Sequence, residues 1–102
     1  MKSEEIIAKI RAHEPELRAA GVTSLALFGS TARDEQRSDS DVDVVVRLTS
    51  EAARGGFAYF GRIDALSRRL EAILQRQVDV IAEPVRKDRL RRSIEKDRIV
   101  AF

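Results

Sequence analysis

Apolar positions change period several times along this chain, and each change marks an element. Behind Ser3, Glu4 and Glu5, residues Ile6, Ile7 and Ile10 recur at helical spacing. A hydroxyl followed by two acids suits a helix start, because it caps free N–H groups and meets the positive end of the dipole. A helix is predicted over residues 3–13. Pro15 would cost that helix a backbone bond but fits the first turn of a new one, predicting a second short helix over 15–20, before Gly21. VTSLALF, residues 22–28, reads as a strand that stops at Gly29. Residues 30–36 are predicted as a short helix and 37–40 as a polar loop.

DVDVVVRL, residues 41–48, alternates carboxylate with valine and then turns fully apolar, the clearest strand of the chain. After a loop at Gly55-Gly56, residues Phe57, Phe60, Ile63, Leu66, Leu70, Ile73 and Leu74 predict a helix to about residue 75, with this stripe as core and Tyr59 off it and exposed. QVDVIA, residues 77–82, is a third strand. Pro84 is read as opening a last helix to about residue 96, followed by a short apolar end, IVAF. The order α α β α β α β α predicts an α/β (α+β) fold, a small mixed β-sheet flanked by helices.

Composition limits what such a fold can do. A chain of 102 residues, 43% hydrophobic with four phenylalanines and one tyrosine, makes one domain over 1–102 with one modest core. A second substrate-binding domain has no room, so a neighbouring molecule is expected to supply that surface. Cysteine is absent, which excludes disulfides, thiol catalysis and cysteine-bound zinc. The charged start, MKSEEIIAKI, carries no apolar signal region and no run reaches membrane-spanning length, so a cytoplasmic protein without membrane contact is expected. Net charge is +2 with signs interspersed, and direct nucleic-acid binding is not expected. Arg86, Lys87, Arg89, Arg91 and Arg92 form the one basic excess. Because Asp88, Glu95 and Asp97 interrupt it, a solvated helix face is the preferred reading, ahead of a partner contact. His13, the only histidine, is read as a polar surface residue at a helix end.

The carboxylates change the picture. Side chains in a strand alternate faces, so Asp41 and Asp43 share a side with Val45 and Arg47, while Val42, Val44, Val46 and Leu48 take the core. Two residues apart, the aspartate Cα atoms lie about 6.6 Å from each other, close enough for their side chains to hold two ions together. Without a cation the two would repel, and oxygen-only ligands favour magnesium or manganese over zinc. Asp79 repeats the anomaly between Val78 and Val80. A carboxylate there implies a charge partner, and it can reach the same ions if the third strand neighbours the second. Asp39 reads as a loop residue. Gly29-Ser30 has its own chemistry: glycine at a strand-to-helix turn lets backbone N–H groups approach an anion, the Ser30 hydroxyl can donate to a phosphate oxygen, and Arg33 lies one turn on.

These residues, FGSTAR followed by SDSDVDVVV, resemble the signature of the nucleotidyltransferase superfamily with the DNA polymerase β-type palm. The chain is most similar to the minimal nucleotidyltransferases paired with HEPN-domain toxins in toxin–antitoxin systems. The resemblance runs over nearly the whole length, with Gly29-Ser30, the Asp41-Val42-Asp43 triplet and Asp79 in the places of the family's Gly-Ser pair, Asp-x-Asp and later Asp. One departure is Asp34, where many relatives carry glycine after the arginine; it is expected to put an acid near the phosphate site. The resemblance implies nucleotidyl transfer from ATP with two Mg2+ ions, Mn2+ being an alternative. Ser30 and Gly29 would hold the β- and γ-phosphates, Asp41 and Asp43 would bridge the ions, and Asp79 would bind the ion nearest the incoming hydroxyl. It further implies an antitoxin that transfers AMP to a tyrosine of a HEPN RNase toxin in a hetero-oligomer. Two other readings stand beside it: a non-catalytic antitoxin of the same fold that occludes its toxin, and a small-molecule nucleotidyltransferase of the antibiotic-modifying kind.

Overall fold

The computed structural model describes residues 1–35, 37 and 40–102. Elements follow in the order α1 (Ser3–Ala12), α2 (Glu14–Ala19), β1 (Val22–Leu27), α3 (Gly29–Ala32), β2 (Val42–Leu48), α4 (Phe57–Leu74), β3 (Val78–Ala82), α5 (Asp88–Asp97) and β4 (Ile99–Val100). The strands form one mixed sheet in the order β3-β2-β1-β4. β1 is antiparallel to β2 and β4, whereas β2 and β3 run parallel through the α4 crossover.

Both faces of the sheet are covered. Alternation along β2 sends Val42, Val44 and Val46 to the face packed by Ile6, Ile10, Leu17, Leu66, Leu70 and Leu74 from α1, α2 and α4. Val22 and Leu25 join the same core although they lie three apart; a bulge between Val22 and Ser24 resets the alternation and makes this possible. The opposite face is smaller. Ala26, Phe28 and Val45 are buried there beneath Ile94 of α5, with Ile81, Val85 and Leu90 at the margin. Val45, which shares its side with the carboxylates, is therefore core as well.

Several expectations are corrected. α3 is one turn, Gly29–Ala32, not a helix to residue 36. α5 begins at Asp88 rather than at Pro84, because the Glu83 N–H still donates to the Val46 carbonyl at 2.9 Å and extends the β3 pairing. The apolar end forms β4, with Ala101 fully buried behind it. Ser3 is the first helical residue of α1 and not its cap; the cap position is Lys2, whose N–H donates to Glu5 Oε1 at 3.3 Å.

The first turn of α4 departs most from expectation. Phe57 is 97% exposed and Phe60 69% exposed, so neither belongs to the core. At roughly 100° per residue, steps of three walk backwards around a helix, and the nine residues from Phe57 to Leu66 amount to half a turn. Leu66 faces the sheet and Phe57 faces away. Tyr59 is half-buried, not exposed, with its ring edge-on to Phe60 at 5.5 Å. No helix among the described residues is long and apolar enough to cross a membrane.

Candidate active site

The site lies where β1 ends and β2 and β3 begin. Phe28 leaves β1 extended, and Gly29 then turns the chain at φ +62°, in the left-handed region that favours glycine. Space is tight there too, since a Cβ would lie 3.0 Å from Asp43 Oδ2. The N–H groups of Gly29, Ser30 and Thr31 open a helical turn and have no acceptor within it. Ser30 is half-buried, and its hydroxyl has no hydrogen-bond partner among the described residues.

Asp43 is held through its backbone on both sides. Its N–H donates to Thr31 Oγ1 at 3.0 Å, and its carbonyl accepts from the Phe28 N–H at 3.2 Å. Thr31 is fully buried, so this contact fastens the turn to the start of β2. Asp43 and Asp79 are register partners in the parallel pair, which puts both on the α5 face about 4.8 Å apart along the hydrogen-bonding direction. Asp41 precedes β2 and is exposed. Asp43 is half-buried, Asp79 exposed, and none of the three carboxylates takes part in an ion pair among the described residues. Burial pushes the Asp43 carboxyl up, and the neighbouring charges of Asp79 and then Asp41 push it further, against a small opposing pull from Arg33.

The structure thus gathers Gly29, Ser30, Asp41, Asp43 and Asp79 at one end of the sheet. Among the described residues no three acidic or histidine side chains converge closely enough to hold an ion as they stand. The donor set nonetheless fits a hard divalent cation: all oxygen, mutually repelling, and without a cationic partner of its own. Arg33 stands beside the site with its guanidinium engaged, Nε donating to Glu35 at 3.0 Å and Nη1 to Asp97 of α5 at 2.5 Å. Asp39 lies outside the described residues.

Asp34 is placed differently from expectation. It sits at φ +58°, which explains why glycine suits this position, and its carboxylate turns toward α1 and away from the turn at Gly29. Oδ1 accepts from the Ser3 N–H at 2.6 Å and Oδ2 from the Ser3 hydroxyl at 3.2 Å. Asp34 thereby caps α1 from across the fold. Two further supports carried no signal in the sequence. Thr31 braces Asp43, and Arg76 Nη2 donates to the carbonyls of Arg37 at 2.7 Å and Ser40 at 2.6 Å, tying down the approach to Asp41.

Comparison with known proteins gives the family. The nucleotidyltransferase domain model matches residues 5–101, and the chain belongs to that family. The protein adenylyltransferase MntA of Thermococcus cleftensis is 37% identical over 79 residues, covering 76% of this chain and 74% of the relative. A Methanocaldococcus jannaschii protein provisionally named a protein adenylyltransferase is 38% identical over 79 residues, covering 76% and 75%. Among solved structures, one described as a minimal nucleotidyltransferase superposes with a TM-score of 0.76 at 29% identity, over 97% of this chain and 95% of its own. A Shewanella oneidensis complex of a tri-AMPylated HEPN toxin with its MNT antitoxin shares the fold, at TM-score 0.65 and 18% identity over 98% and 71%.

Proposed function

We propose that this nucleotidyltransferase is an antitoxin that transfers AMP from ATP to a hydroxyl, that of a tyrosine, on a HEPN-domain RNase toxin. The observation that carries the reading is Asp43 set in register with Asp79 and pressed against Gly29. Adenylyl transfer to protein is the activity named for its relatives from Thermococcus and Methanocaldococcus. The fold it shares with antitoxins bound to HEPN toxins supports the choice of partner.

In this reading Ser30 and the N–H groups of the Gly29 turn bind the β- and γ-phosphates. Asp41, Asp43 and Asp79 would hold two Mg2+ ions, which supply charge neutralisation at the phosphates and lower the pKa of the attacking hydroxyl. The acceptor oxygen forms a bond to the α-phosphorus as the bond to the β-phosphate oxygen breaks. Pyrophosphate leaves, and Asp79 receives the hydroxyl proton. Arg33, anchored by Glu35 and Asp97, contributes positive charge to the nucleotide at the edge of the turn.

Intact-mass measurement of the co-purified toxin after incubation with ATP and magnesium tests this. The expected result is a gain of one or more AMP units, lost in Asp41→Asn and Asp43→Asn. Equal neutralisation of the toxin by those variants, with no mass change, would establish occlusion in place of transfer.

A further inference from the structure

At the far end of β2 and β3 from the carboxylates, a cavity of about 310 Å³ opens between the α4 start and the segment before α5. Leu48, Ala53, Tyr59, Ala82 and Pro84 give it an apolar lining, and Arg86 stands on its lip. From Asp43 to Leu48 the strand runs five residues, about 16 Å. Phe60, edge-on to Tyr59, carries the apolar surface outward from the cavity, and Phe57 lies three residues before it on α4; the two rings together expose on the order of 300 Å².

The opposite lip is cationic. Arg86, Lys87 and Arg89 are exposed and enter no ion pair among the described residues, whereas Asp88 is engaged by Arg91 at 2.9 Å. Glu83, the one acid lining the cavity, is matched by Arg98 at 3.0 Å and Arg47 at 3.7 Å. An occupant must therefore offer an apolar side chain to the cavity and carboxylates to the lip.

We infer that this end of the sheet is a docking surface for an acidic, apolar-tipped segment of the acceptor protein, separate from the transfer site. The inference rests on the proposed adenylyl transfer to a partner protein. Docking here holds the partner by one end of the sheet while its hydroxyl reaches the carboxylates at the other. Complementary charge raises the association rate, and the aromatic anchors set the residence time.

The test uses the full chain with a purified HEPN-domain partner, binding measured by calorimetry without ATP and transfer measured separately by mass. Phe57→Ser combined with Phe60→Ser is expected to weaken binding at least tenfold. Arg86→Glu with Lys87→Glu should weaken it comparably and flatten its salt dependence. Both should raise KM for the intact partner and leave kcat at saturation unchanged, while Lys9→Glu, exposed on α1, changes neither. The rings are exposed, so thermal melting should match wild type. Unchanged affinity in both double variants overturns the inference, as does absence of partner binding by the wild type. A wild-type dimer in light scattering dissolved by the Phe57 and Phe60 changes would assign the surface to a second copy and overturn it. RNA binding lost with the Arg86 and Lys87 changes, partner affinity being retained, would do the same. Partner binding lost as expected, with no AMP transferred even by wild type, would sink the transfer reading and leave the docking surface standing.

Discussion

Gly29 and Asp43 occupy each other's space: a methyl group on the glycine would lie 3.0 Å from the aspartate Oδ2, and the glycine backbone sits at φ +62°. An L side chain here would be strained in its backbone and would press the Asp43 carboxylate aside by a few tenths of an ångström. The turn and the carboxylate are one unit, with no slack between them.

Gly29→Ala is therefore expected to shift the Asp43 carboxylate by a few tenths of an ångström and lower transfer on the order of 10-fold, since an ångström of misplacement costs on the order of 100-fold. The left-handed backbone adds a stability cost of about 1–2 kcal/mol. Steady-state kinetics beside urea melts checks both. Activity within twofold of wild type would show that the close approach is dispensable.

Asp43→Asn should separate activity from stability. Burial and the charges of Asp79 and Asp41 raise the Asp43 carboxyl, which means that its ionised form is disfavoured in the fold. Removing the charge should raise Tm without divalent ions by about 2–4 °C, a small gain because the group is half-exposed, while transfer is lost. Magnesium should raise the Tm of the wild type and do so less for this variant. Calorimetry with and without magnesium reads both effects, and a lower Tm for the variant contradicts the repulsion argument.

Asp34 combines a left-handed backbone with two hydrogen bonds to Ser3. Asp34→Ala loses the bonds and keeps the strain, costing about 1 kcal/mol; Asp34→Gly loses the bonds but relieves a strain of about 1 kcal/mol, and should be nearly neutral. Equal denaturation midpoints for the two variants would remove the backbone from the account.

Ile94 is the one fully buried side chain of α5 and closes the smaller core over Ala26, Phe28 and Val45. Ile94→Ala should cost roughly 2–5 kcal/mol, a large part of the stability of a domain this size. Because Asp97 on the same helix holds Arg33, the affinity for ATP should fall as well. Faster hydrogen exchange, greatest in α5 and extending into the sheet as global stability falls, is the expected signature, and unchanged exchange in α5 would contradict it.

What could be read in advance follows the physics of each element. Alternation in DVDVVVRL and QVDVIA identified β2 and β3, and Asp43 and Asp79 drew notice because charge in an apolar strand needs a reason; Asp41 lies just before β2. Three-residue spacing misled at Phe57 and Phe60, since it shows apolar recurrence without accumulating the rotation that carried them off the core. β4 is two residues long and exists through its pairing with Ala26 and Leu27, which no local pattern reveals. Thr31, Arg76 and the Asp34–Ser3 contact are likewise products of tertiary placement.

The parallel pairing of β3 with β2 also sets how far apart along the chain the parts of the candidate site lie. Gly29 and Asp43 lie fourteen residues apart on one antiparallel hairpin. Asp79 joins them only across the eighteen-residue crossover of α4, through the register of β3 with β2. The candidate site is thus divided between a local hairpin and a long-range parallel pairing. Opening of β3 alone, with the hairpin intact, would keep Asp43 against Gly29 and take Asp79 out of its register.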